Sequence, residues 1–195
     1  MLTSNKISSL VIDTLRDRDA GQNIAVLGLY CDYQGQKDQS AVNMIGGLLR
    51  QVVWGAAEIR SAFNESKRRG GQSLRMQDML KLFVKVISSM DRVYICVDAV
   101  DELPPESRSE FLRGVRQIIQ DAPRARLFLT ARPCISAELD RHLTKGAHII
   151  HIMADQGDIT RYLNYKMDND QDSDLMAIDL RHDIIETILD KSSEM

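Results

Sequence analysis

The sequence has little of what marks an unpacked or an extracellular chain. Only 4 prolines and 11 glycines fall among 195 residues, which excludes collagen-like and low-complexity architectures. Apolar residues at 44% and charged residues at 27% exclude disorder along the whole length. Cys31, Cys96 and Cys134 are the only cysteines, far apart and without a C-x-x-C pair. An odd count in mostly apolar settings reads as reduced thiols and so as an intracellular, cytoplasmic chain. No run approaches about 18 consecutive apolar residues, so no membrane span is expected. The first residues lack the basic-then-apolar order of a signal peptide. With a net charge of −3 the basic excess of a general nucleic-acid binder is missing. His142, His148, His151 and His182 show no ligand spacing with the cysteines and read as surface or strand-end residues. Nor does any Ser/His/Asp or Cys/His arrangement stand out.

What is there alternates between two periods. Ile7, Leu10, Val11, Thr14 and Leu15 recur at helical steps over 3–18. Ile24–Tyr30 is an apolar run of strand length, and Gln34–Gln39 reads as loop. Ser40 is a candidate N-cap for a helix with Ile45, Leu48, Leu49, Val52 and Val53 on one face. A weaker helix over 56–67 ends in Lys67-Arg68-Arg69, a solvated basic end. Met76, Met79, Leu80, Phe83, Val86 and Ile87 mark the next helix, with Ser73 as its cap. Trp54 and the two methionines read as core residues. Val93–Val97 is a second strand, Pro104 and Pro105 open a helix, and Arg126–Thr130 is a third strand. A short helix over 136–143, a fourth strand at His148–Ile152, a helix after Asp155 and a last one over 175–189 complete the pattern. Apolar strands alternating with amphipathic helices predict an α/β fold, a parallel sheet flanked by helices on both faces.

The most informative stretch is Val-Tyr-Ile-Cys-Val-Asp98-Ala-Val-Asp101-Glu102. Ligands of open α/β sheets bind beyond the carboxyl ends of the strands, so Asp98 stands where a ligand is expected. An acid at this position helps hold Mg²⁺ in P-loop NTPases. The plainer possibility is a solvated acidic turn leading into the next helix. The third strand ends Thr130-Ala131-Arg132-Pro133, beside the Asp98 strand in such a sheet. Arg132 could reach a phosphate there, or form a structural salt bridge to one of the acids. Cys96 sits in a core strand; Cys31, near a strand end beside Asp32, has a slightly better claim to exposure, with a structural role the expectation for it.

These two segments, with Leu-Tyr-Cys-Asp-Tyr ending at Tyr33 and Asp158-Ile-Thr-Arg-Tyr-Leu ending at Leu163, resemble the NACHT group of STAND-type P-loop NTPases. Within it they are most similar to the fungal set related to the nephrocystin-3-like N-terminal domain. The resemblance covers nearly the whole chain. It implies an intracellular signalling switch that binds ATP or GTP with Mg²⁺, flanked in a larger protein by an effector and repeats, and that self-associates on activation. It implies that Asp98 is the metal-associated acid and that Asp101 and Glu102 are linked to hydrolysis. Thr130 and Arg132 then fall in the segment that senses phosphate. Ala131 departs from the family's usual serine.

The family's phosphate loop, Gly-x-x-x-x-Gly-Lys-Ser/Thr, occurs nowhere in the sequence. Lys6, inside a helix with no glycine turn before it, is no substitute. The expectation is therefore a NACHT-type core truncated before the end of that loop, spanning 1–167. A linker and the start of a helical region would fill 168–195. The family's strand order, 5-1-4-3-2, would then lack strand 1. Strand 4 (Arg126–Thr130) would become an edge, with an unfilled slot between it and strand 5 (His148–Ile152). A chain inactive toward nucleotide follows, or alternatively a catalytically silent interaction module on an NTPase scaffold.

Overall fold

Strand formation begins where β-branched and apolar residues run together, and three such runs pair in the computed structural model. It describes residues 4–18, 23–54, 75–143, 146–152, 155–169 and 178–193. The strands are β1 (Ile24–Tyr30), β2 (Arg92–Asp98) and β3 (Ala125–Leu129). They lie parallel in the order β1-β2-β3. Tyr30 is in register with Asp98, and Val97 with Leu129. The α/β class with a parallel sheet is as expected, and the ends predicted for these three strands lie within a residue of the observed ones.

The chain divides into two compact units, Met1–Ala147 and His148–Met195. In the first, one sheet face carries the main core. Helix α2 (Ala41–Trp54) packs on β1 and α4 (Pro105–Asp121) on β3. Helix α3 (Met76–Ile87) lies against α2 and α4. Ile45, Leu48, Phe83, Ile95, Phe111 and Val115 are wholly buried there. The other face is crossed by α1 (Ser4–Arg18), which touches β1 and β2. Its closest approach is over Gly28, where an added Cβ would lie 3.1 Å from Ile12 Cδ1. A larger residue there would make the end of the Ile12 side chain give way by a few tenths of an ångström. The predicted apolar stripe of α1 needs correction. Ser8 and Ile12 are its buried residues, while Leu10 is 68% exposed. A seat on the sheet for Ser8 rotates the helix away from its most apolar side.

Ser40 caps α2 as expected, its Oγ accepting from the Asn43 N–H at 3.2 Å. Residues 34–39 are not plain loop. Tyr33–Asp38 forms a 3-10 helix capped by Asp32, whose carboxylate accepts from the Gln34 N–H. Helix α5 (Ser136–Leu143) starts where expected. The fourth strand does not form. Residues 148–152 carry no strand assignment, and Ile149, Ile150 and Ile152 are exposed. An apolar run becomes a strand only when a neighbour supplies a ladder, and the ladders among the described residues join β1, β2 and β3 alone. The expected slot between strands 4 and 5 therefore does not arise, although β3 is an edge among the described strands. The helix expected at 56–67, the Ser73 cap and the Trp54 side chain lie outside the described residues.

The second unit holds α6 (Gln156–Asp168), capped by Asp155, and α7 (Ile178–Ser193). Arg181 links them, pairing with Asp168 at 2.6 Å. No described helix is long and apolar enough to cross a membrane.

Candidate functional site

The carboxyl ends of β2 and β3 gather the predicted residues. Alternation along β2 turns Val93, Ile95 and Val97 into the main core and Cys96 and Asp98 toward the α1 face. Asp98 is 1% exposed. Its Oδ1 accepts the Ser8 hydroxyl at 2.5 Å and the Thr130 hydroxyl at 2.6 Å. A buried carboxylate is tolerated only with such partners, and here one comes from α1 and one from the end of β3.

Thr130 also ties down the backbone beyond Asp98. Ala99 adopts a left-handed conformation, φ 53 and ψ 47, strained for a residue with a Cβ. Its N–H donates to Thr130 Oγ1 at 2.9 Å. The Val100 N–H donates to the Thr130 carbonyl, and the Thr130 N–H to the Val97 carbonyl, both at 3.0 Å. The strained turn swings Asp101 toward β3 and Glu102 toward β1.

Both later acids are engaged. Asp101, with a side chain 7% exposed, accepts the Arg132 N–H on Oδ1 at 3.1 Å. Its Oδ2 lies 3.5 Å from Arg132 Nε, and the Arg132 side chain is 74% exposed. The salt bridge foreseen as one possibility is present, with most of the guanidinium still in solvent. Glu102 Oε2 accepts the Tyr33 N–H at 3.0 Å, and its carbonyl accepts from Gln36 Nε2 at 2.8 Å. Glu102 thus fastens the 3-10 helix after β1 onto the turn after β2.

Four residues contribute in roles that the sequence did not announce. Ser8 lies 90 positions from Asp98, and nothing in a helical serine announces a distant carboxylate. Tyr33 and Gln36 meet Glu102 across more than 60 positions. Arg108, in the first turn of α4, donates from Nη1 to the carbonyls of Asp101 and Leu103 at 3.1 and 3.0 Å. Its Nε pairs with Glu138 at 2.8 Å, with the two side chains 11% and 21% exposed. Arg108 clamps the acidic turn from behind.

The electrostatics register at Cys31. Its N–H donates to the Asp98 carbonyl at 3.0 Å, and it is buried, in keeping with a structural role. Burial first, then Asp98, Glu102 and Asp101 in turn, push the thiol up to about 12. Three carboxylates at one sheet end thus project a common negative field on the end of β1. Cys96 is likewise buried and pushed up to about 11, chiefly by burial. Cys134 is exposed.

The donor set fits a hard divalent cation by chemistry, since a carboxylate and two hydroxyls are all oxygen. Mg²⁺ takes few protein ligands and completes its shell with water and phosphate. Among the described residues no group of three or more His, Cys, Asp or Glu could hold a metal by itself.

A family model described as Nephrocystin 3, N-terminal matches residues 5–132, about two thirds of the chain. The match runs from the first turn of α1 to Arg132. No curated protein and no solved structure matches the chain.

Proposed function

This chain belongs to the nephrocystin 3 N-terminal family, and on that premise we propose that residues 1–167 form the core of a NACHT-type, STAND-class nucleotide-binding domain of an intracellular signalling protein. The observation that carries this reading is Asp98. It is buried at the carboxyl end of the middle strand, with hydroxyls from α1 and from the neighbouring strand end on its carboxylate. That is the position an NTPase uses for the metal-associated acid.

In this reading Asp98, with Ser8 and Thr130 beside it, would hold a Mg²⁺ ion arriving with ATP or GTP. The ion, when bound, would neutralise phosphate charge. Asp98 orients it, Asp101 and Glu102 are the acids linked to hydrolysis, and Arg132 offers its exposed guanidinium to a phosphate. Residues 168–195 lead into a helical region. An effector, repeats and further copies of the chain are the proposed partners. The backbone cradle and lysine that hold phosphates in this class have no sequence equivalent in the 195 residues. By itself the chain is proposed to be inactive toward nucleotide.

A second reading, a catalytically silent interaction module, is favoured by one specific observation. The carboxylates of Asp101 and Glu102 are both occupied by backbone N–H groups, those of Arg132 and Tyr33. They act there as fasteners of neighbouring loops.

Calorimetry with Mg-ATP and Mg-GTP tests the inactivity: no binding is expected, and micromolar affinity refutes it. Grafting a strand and a Gly-x-x-x-x-Gly-Lys-Thr loop ahead of α1 tests the site. Binding gained by the graft and lost again with Asp98→Ala supports the NTPase reading. A graft that folds, by circular dichroism, and binds neither nucleotide favours the silent module.

A further inference from the structure

The outer edge of β1 carries a second feature, independent of the Asp98 site. In a parallel strand the N–H and C=O of alternate residues point to one side. The Asn23 carbonyl and the Cys31 N–H point toward β2, so Ile24, Val26 and Gly28 turn theirs outward. At Gly28 both groups are taken by one side chain. Gln51 Oε1 accepts the Gly28 N–H at 3.0 Å, and Gln51 Nε2 donates to the Gly28 carbonyl at 2.8 Å. A side-chain amide thus stands in for one residue of a neighbouring strand.

Below that plug the edge opens into a cleft of about 510 Å³, lined by Arg16, Ile24, Val26, Arg50, Gln51 and Met90 among others. Among the described residues no carboxylate lines it. Arg16 and Arg50 form no ion pair with any described residue, and both are exposed. Arg16 belongs to α1, on one face of the sheet; Arg50 belongs to α2, on the other. Two cations therefore flank two open backbone rungs, one from each side.

We propose that this edge binds an extended acidic peptide of a partner protein by strand addition at Ile24–Val26. Main-chain bonds to an exposed edge supply affinity, and alternate side chains supply specificity. Successive side chains of a strand point to opposite faces. The peptide's signature is therefore two adjacent acidic residues, one for Arg16 and the next for Arg50. A second copy of this chain is a poor occupant, because edge-to-edge pairing would set the arginines of one copy against those of the other. Gln51 limits the docked strand to the two rungs below Gly28.

The probe is an acetylated, amidated hexapeptide, Thr-Val-Glu-Glu-Val-Thr, titrated into the 195-residue chain and followed by amide NMR. Downfield shifts of the Ile24 and Val26 amides are expected. The double variant Arg16→Glu with Arg50→Glu, both exposed and so harmless to folding, is expected to weaken binding about tenfold or more. Gln51→Ala frees the Gly28 rung and is expected to tighten it. Equal binding of a Gln-Gln version of the peptide overturns the proposal. So does full competition by millimolar inorganic phosphate, which would leave a small-anion site only. A dimer formed without peptide, by ultracentrifugation, that carries the same downfield shifts of the Ile24 and Val26 amides would assign the edge to self-pairing and overturn it as well.

Discussion

Replacing Thr130 by valine removes one oxygen and keeps the shape, so it isolates the hydroxyl that joins Asp98 to Ala99. That hydroxyl donates to Asp98 Oδ1 at 2.6 Å and accepts the Ala99 N–H at 2.9 Å. A hydrogen bond to a charged group contributes about 1.5–3 kcal/mol, and a buried N–H deprived of its acceptor costs about 1–3 kcal/mol. Ala99 is 8% exposed, so water replaces the lost acceptor poorly. Together the loss is about 3 kcal/mol, or about 10 °C in melting temperature for a unit of this size. Thr130→Ser keeps both bonds and gives up a half-buried methyl, a loss under about 1 kcal/mol. The assay is urea unfolding of both variants followed by far-ultraviolet circular dichroism, with slopes compared as well as midpoints. A valine variant within about 0.5 kcal/mol of the serine variant refutes the reasoning, a margin near the effect of an ordinary surface substitution.

Ala99→Gly is expected to stabilise the chain by about 1 kcal/mol, because glycine enters the left-handed region without the Cβ penalty; a destabilised variant in the same urea assay contradicts this. With Ellman's reagent at mildly alkaline pH, the native chain should show one fast thiol, Cys134. Cys31 and Cys96, buried and pushed up to about 12 and about 11, should wait for denaturant, and three fast thiols would refute the burial. His142 has its pKa lowered from 6.5, by burial against an opposing pull from Glu138. The unfolded chain therefore takes up that proton first. The contribution of His142 to stability is present above pH 6.5 and declines as pH falls through that value. An NMR titration midpoint at or above 6.5 would refute it.

Much of this was legible because it is local. β1, β2 and β3 announce themselves as largely apolar runs of strand length, and the helices of the main core by their apolar spacing. Asp98 could be placed because it closes a buried run, and Arg132 because its own strand ends next door. What stayed hidden depends on partners far along the chain. His148–Ile152 has the composition of a strand but, among the described residues, no ladder to join. The orientation of α1 follows a serine whose partner is 90 positions away, and apolar periodicity does not weigh serines. Glu102 reads as a candidate for chemistry, yet its carboxylate caps a helix formed by residues that looked like plain loop. The type of a residue shows what it can bond to; the fold decides which of those bonds it makes.

The uneven dressing of the sheet has a consequence for motion. Among the described helices α2 and α4 pack on one face, backed by α3, and α1 on the other, where Ser8 and Ile12 are buried. Ile12 contributes about 2 kcal/mol by burial, and the Ser8 bond to a carboxylate about as much. Half-buried Val11 and Leu15 add a fraction of that. Undocking α1 alone then costs on the order of 5 kcal/mol, a sub-global opening populated in roughly one molecule in several thousand. In that opening the helix lifts away and the Asp98 carboxylate meets solvent while the opposite core stays closed. The amides of α1 should exchange together, ahead of those of β2. Asp98 becomes accessible by the movement of one helix, with Ser8 and Ile12 setting how rarely that happens.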